Sequence, residues 1–90
     1  MARSKLQVIK EILEYCRYAP KRISWIYQSL GLDSAAVPKT VGVCLKSGLL
    51  EEAPMENYLR KGYLTTKAGV EFIRKYHELT ALLQETVQVG

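Results

Sequence analysis

Ninety residues carrying 13 Lys and Arg against 9 Asp and Glu, for a net charge of +4, make one small basic domain. No apolar run approaches the ~20 residues needed to span a bilayer, and Arg3 and Lys5 precede no apolar leader core, so the expectation is a cytoplasmic protein. A chain this short buries a modest core and often gains stability by oligomerising.

Leu6, Ile9, Leu13 and Cys16 recur at three-four-three spacing, widened by Val8, Ile12 and Tyr15, which predicts a helix from about Ser4 to Arg17. Pro20 biases Ala19 away from helix and stops it. Lys21 and Arg22 sit in the connector, and Ile23 is expected to form a one- or two-residue strand. Ser24 is expected to cap a short second helix carrying Ile26 and Leu30, with Gly31 ending it. Trp25 is read as packing against the wing or the first helix, with contact to DNA or a partner as the alternative.

Asp33 and Ser34 are helix-starting residues, and Val37, Val41, Cys44 and Leu45 then share one helix face. Pro38 removes a backbone donor, so Ser34 to Val37 is expected to be an irregular or 3₁₀ turn, with regular helix from about Pro38 to Lys46. Gly48 follows as a left-handed cap. Leu49 to Ala53 reads as a strand entering a wing, Pro54 and Asn57 mark the loop, and Tyr63-Leu64-Thr65 returns. Thr65 is expected to cap a last helix running from about Thr66 to Thr86 or Val87. Along it Phe72, Tyr76, Leu79, Leu83 and Thr86 form a heptad seam, extended by Val70, Ile73 and Leu82.

The order of two short helices about a glycine turn, a hairpin and a final helix is carried by "SLGLDSAAVPKTVGVCLKSGLLEE" and "GYLTTKAGVEF". With "LKSGLLE" and "YLTTKAG" as its signatures, the chain resembles the winged helix-turn-helix families of archaea and bacteria over roughly Leu6 to Leu83. It is most similar to small archaeal DNA-binding proteins that dimerise through a long C-terminal coiled-coil helix. The resemblance implies a mainly α fold with a small β-hairpin wing. Residues 1–65 would form the winged helix-turn-helix domain, and residues 66–90 a helix that packs on it and forms the dimer seam.

Function follows from charge and from what is missing. Arg3, Lys5, Lys10, Arg17, Lys21, Arg22, Lys39 and Lys46 precede Gly48, opposed only by Glu11, Glu14 and Asp33, which suits a polyanionic partner. A winged helix presents its third helix to the major groove. Here the outward positions are Ser34, Ala35, Pro38, Lys39, Gly42, Val43 and Lys46, without the Arg, Asn or Gln that read bases in pairs of bonds. Double-stranded DNA is therefore expected to be held mainly by phosphate contacts. Ser34, Lys39, Lys46, Arg60 and Lys61 would line the DNA face, and Lys21 and Arg22 would clamp the flanking backbone. Tyr76, Leu79, Leu82, Leu83 and Thr86 are the expected homodimer contacts. The alternative is a winged helix used only for protein interaction, through Trp25 and the exposed leucines.

Cys16 and Cys44 fall on apolar faces and read as buried free thiols, with a disulfide between the first and third helices as the alternative. Two Cys and the single His77 cannot build a four-ligand zinc site without carboxylates. Glu51-Glu52 reads as protection of a strand edge. No nucleophile–base pair or glycine-rich phosphate loop is present, so neither an enzyme, a cofactor nor a small-molecule ligand is suggested.

Overall fold

The computed structural model describes residues 3–56 and 60–89, with side chains through residue 83. The elements run α1 (Lys5–Tyr15), α2 (Ile23–Leu30), α3 (Val37–Lys46), β1 (Leu50–Pro54), β2 (Lys61–Thr65) and α4 (Lys67–Val89). This is the mainly helical winged helix-turn-helix expected from the sequence. No helix among the described residues is long and apolar enough to cross a membrane.

Each helix starts and stops for local reasons. Ser4 caps α1, its hydroxyl accepting from the Gln7 amide at 3.1 Å. The turn over residues 34–36 is closed by the Ala36 and Val37 amides, both bonded to Asp33 O at 3.1 Å, and by Asp33 Oδ1, which accepts from the Ala35 amide at 3.1 Å. Pro38 then falls in the first turn of α3, where a missing N–H leaves no helical bond unmade. The irregular start expected from Pro38 is thus present, and the helix begins one residue earlier than expected. Gly48 takes φ 75°, a left-handed conformation a side chain would disfavour. That geometry lets the Leu49 amide reach Cys44 O at 2.8 Å and the chain turn into β1.

Three expectations are corrected. Ile23 is not a strand residue. The strand-like pairing belongs to Lys21, whose amide and carbonyl exchange bonds with Tyr63 at 3.0 and 2.9 Å. Because Lys21 is held there, the chain turns into α2 at once, so Arg22 rather than Ser24 takes the cap position and makes no side-chain capping bond. Thr65 does not cap α4. It ends β2, buried, while Thr66 Oγ1 accepts from the Gly69 amide at 3.1 Å.

β1 and β2 pair antiparallel with Leu50 opposite Thr65 and Pro54 opposite Lys61. The core gathers Ile9, Ile12, Leu13 and Cys16 of α1 and its end, Ile26, Val37, Val41 and Cys44 of α2 and α3, Leu50, and Ile73 of α4. Adjacent threonines lock this core to the wing. Thr65 Oγ1 donates to Leu13 O at 2.6 Å and its amide to Cys16 O at 3.0 Å, closing the end of α1. Thr66 Oγ1 donates to Gly48 O at 2.5 Å and its amide to Leu49 O at 3.1 Å, tying α4 to the end of α3. Gly69 must lack a side chain here, since a Cβ would land on Leu49 O and the Thr65 methyl.

Candidate nucleic-acid interface

Burying Val37, Val41 and Cys44 turns the opposite side of α3 to solvent, because residues four and three apart share a face. Pro38, Lys39, Val43 and Lys46 are exposed there, with Ser34 and Ala35 exposed in the preceding turn. Among the described residues neither Lys39 nor Lys46 has a carboxylate partner. Lys39 lines a groove of about 330 Å³ together with Lys5, Asp33, Thr40 and Val43. Lys5 went unremarked in the sequence as a site residue. The signal was the Ser4 cap, which places Lys5 in the first turn of α1, at the edge of α3.

The remaining predicted cations separate into two groups. Arg22, Arg60 and Lys61 line one groove of about 330 Å³ between the start of α2 and the wing, walled by Ile23, Ser24, Tyr27 and Tyr63. Lys61 also stands 3.9 Å from Glu52 across the hairpin, both largely exposed. Lys21 is not part of this groove. Its ammonium lies 5.1 Å from the Tyr15 ring centre and donates to Ala19 O at 3.3 Å. Sequence proximity paired Lys21 with Arg22; the backbone pairing of Lys21 with Tyr63 parts their side chains. Trp25 is half-buried.

On α4, Leu79, Leu82 and Leu83 are 55, 61 and 56 % exposed. Tyr76 is half-buried, with Lys10 Nζ 5.4 Å from its ring centre. The Thr86 side chain lies outside the described residues. Val8 and Tyr15 both pack on the core, whereas Leu6 is 54 % exposed on α1. His77 Nε2 lies 3.3 Å from Glu14 Oε2, and Lys10 Nζ lies 3.1 Å from Glu14 Oε1, so α1 and α4 share a polar clasp. Partial burial raises the Glu14 pKa, but the hydrogen bonds from Lys10 and His77 outweigh it and hold the carboxyl below its ordinary value.

Cys16 and Cys44 are buried free thiols. Burial pushes the Cys16 thiol up to about 12 and the Cys44 thiol to about 11, so both are protonated and inert as nucleophiles. Among the described residues no group of three or more His, Cys, Asp or Glu side chains is placed to hold a metal ion.

The profile of the winged helix-turn-helix family matches residues 2–84. Curated protein sequences give no significant match. Three solved structures superpose on nearly the whole chain. The crystal structure of RV1404 from Mycobacterium tuberculosis has a TM-score of 0.69 at 19 % identity, covering 96 % of this chain and 58 % of that one. AdcR, a zinc-dependent MarR family transcriptional regulator in its Zn(II)-bound state, has a TM-score of 0.60 at 25 % identity, covering 97 % and 61 %. MarR from Staphylococcus aureus, in complex with salicylate and kanamycin, has a TM-score of 0.69 at 15 % identity, covering 100 % and 59 %. The chain thus spans about three fifths of the length of each.

Proposed function

Because the chain belongs to the winged helix-turn-helix family, we propose that it is a homodimeric protein that binds double-stranded DNA mainly through phosphate contacts, as a transcriptional regulator or a chromatin-like binder. The observation that carries this reading is the outward face of α3. Among the described residues it presents Lys39 and Lys46 without carboxylate partners, Lys39 beside Lys5, and offers no Arg, Asn or Gln to base edges. Two of the structural neighbours are MarR proteins, one of them described as a transcriptional regulator, which supports the regulatory role. The cationic groove between α2 and the wing adds a second contact to the same polyanion. A binding role is in keeping with the family.

Mobility shift on mixed-sequence duplex at low and moderate salt tests this. Lys39→Ala and Lys46→Ala should each weaken binding to all duplexes alike and lower the slope of log K against log salt by about 0.9. A loss of preference at one base position would instead assign those lysines to base reading. No binding at low salt would favour a winged helix that contacts only proteins.

Dimerisation is supported by the three leucines that α4 leaves more than half exposed. Fully burying each contributes roughly 1.5–3 kcal/mol. The 23 residues of α4 extend about 34 Å, beyond what the core can cover. Sedimentation equilibrium should give a dimer for the native chain at tens of micromolar (an estimate for a short polar-interrupted seam) and a monomer for Leu79→Glu, Leu83→Glu. A monomeric native chain, or a variant that stays dimeric, refutes this seam.

A further inference from the structure

A concavity of about 670 Å³ lies between the start of α1 and the turn that joins α2 to α3. That is the size of a small-molecule site, and its residues come from three separate segments of the chain. Val8, Leu32 and Val37 supply apolar wall, and all three pack with the core. The same cavity carries charges of both signs, Lys5 from α1 and Asp33 from the connector, and no ion pair joins them. Arg3 also lines it but is paired with Glu11 at 3.2 Å, so it is left out of recognition. Asp33 is fixed in place. Its carbonyl accepts from the Ala36 and Val37 amides, and its Oδ1 from the Ala35 amide at 3.1 Å, while Oδ2 has no bond among the described residues. Thr40 Oγ1 donates to Ala36 O at 3.3 Å, which leaves its lone pairs to accept. A fixed acid and a separate cation beside an apolar wall match a molecule with an ammonium, a carboxylate and an apolar body. A ligand of one sign alone would leave one of the two charges unmatched.

We propose that this cavity binds a free α-amino acid with an apolar side chain. Its carboxylate pairs with Lys5, its ammonium with Asp33 and the Thr40 hydroxyl, and its side chain lies against Val8, Leu32 and Val37. Lys5, Asp33 and Thr40 also line the groove that holds Lys39, so the two concavities share a wall. A bound amino acid therefore engages the lysine that stands beside Lys39 on the proposed DNA face. In this effect the proposal rests on the DNA-binding reading: the ligand withdraws one phosphate contact and weakens duplex binding.

Isothermal titration calorimetry of the full chain with L-leucine and L-phenylalanine tests the site, and methyl NMR locates it. Saturable binding should shift the Val8, Leu32 and Val37 methyls and should weaken about tenfold or more in Asp33→Asn and in Lys5→Gln. The first variant keeps an oxygen for the Ala35 amide, and the second lies at an exposed position. Isocaproate (leucine without its ammonium) and isoamylamine (leucine without its carboxylate) should each bind about tenfold or more weakly than leucine. Either analogue binding as tightly as leucine overturns the proposal, as does no saturable binding of either amino acid, or methyl shifts elsewhere. In a mobility shift, leucine should weaken duplex binding by the native chain, lower its salt slope by about 0.9, and leave Asp33→Asn unchanged. Duplex binding by a chain that takes up neither amino acid refutes the site and leaves the DNA reading standing. Amino-acid binding by a chain that holds no duplex supports the site and refutes the DNA reading.

Discussion

Replacing Thr65 by Val removes one hydroxyl and almost no volume, yet the structure makes it a costly change. Leu13 sits in the last turn of α1, where carbonyls run out of helical partners. A continuing helix would satisfy Leu13 O with the Arg17 amide, but that amide turns to Glu14 O at 3.4 Å instead. Thr65 Oγ1 fills the vacancy at 2.6 Å, and Thr65 is only 8 % exposed, so water has little access to take its place. Leaving a buried acceptor unpaired costs about 1–3 kcal/mol. For a domain of this size that lowers Tm by roughly 5–20 °C. Thr65→Ser keeps the donor and loses one methyl, which costs about 0.8 kcal/mol of burial. Urea and thermal unfolding followed by circular dichroism, at one fixed protomer concentration so that self-association does not move the midpoint, separate the two. A Val variant within about 0.5 kcal/mol of native, a change ordinary for an uninvolved surface site, would refute the reasoning. A Ser variant as unstable as Val would show that the methyl, rather than the hydrogen bond, matters.

Two glycines in helices should respond oppositely to alanine. Gly42 has open space where a Cβ would stand, so Gly42→Ala should stabilise the fold by about 0.5–1 kcal/mol through helix propensity. In Gly69→Ala the new methyl meets the Leu49 carbonyl and the Thr65 methyl, so overpacking of about 1–3 kcal/mol should outweigh that gain; chemical denaturation of both variants reads the signs. Glu14 has a folded pKa below its ordinary value, so its contribution is present above the unfolded pKa and is lost as pH falls through the folded one. Glu14→Gln should therefore flatten the loss of stability between about pH 5 and pH 2, and an acid limb identical to native would remove the α1–α4 clasp from the account.

How much of this was legible in the sequence depends on the range of the interaction. The inward faces of α1 and α3, the Gly48 turn and the irregular approach to Pro38 are set by neighbours within four residues, and each was readable. The assignment of Thr65 as the cap of α4 was one residue off, for a reason no local pattern carries. Both threonines have the chemistry of a cap, and what separates them is the end of α1, more than fifty positions away, which claims the hydroxyl of the first. The charged residues divide in the same way. Lys39 and Lys46 follow from helix periodicity alone. Lys5 beside Lys39, and Arg60 beside Arg22, are brought together only by the packing of separate elements. Leu79, Leu82 and Leu83 are exposed on α4, and Leu6, which the spacing groups with the core stripe of α1, is left at its edge.

The backbone of Lys21 explains where the wing-root charges go. Its two bonds to Tyr63 make the connector a third, one-residue partner of the hairpin. A strand residue sends its side chain to one face and its successor's to the other. Lys21 therefore turns back over Tyr15, while Arg22 falls beside β2, where Arg60 and Lys61 enter the wing. Alternation has a period of two, so a bridge at Ile23 would leave Lys21 and Arg22 on these same faces, whereas a bridge at Arg22 would exchange them. One residue of strand register thus decides which of two adjacent cations meets the wing. The same pairing ends the connector so abruptly that α2 starts on an arginine instead of a capping serine. The capping bond given up at the start of α2 and the cations gathered at the root of the wing have a common origin in that register.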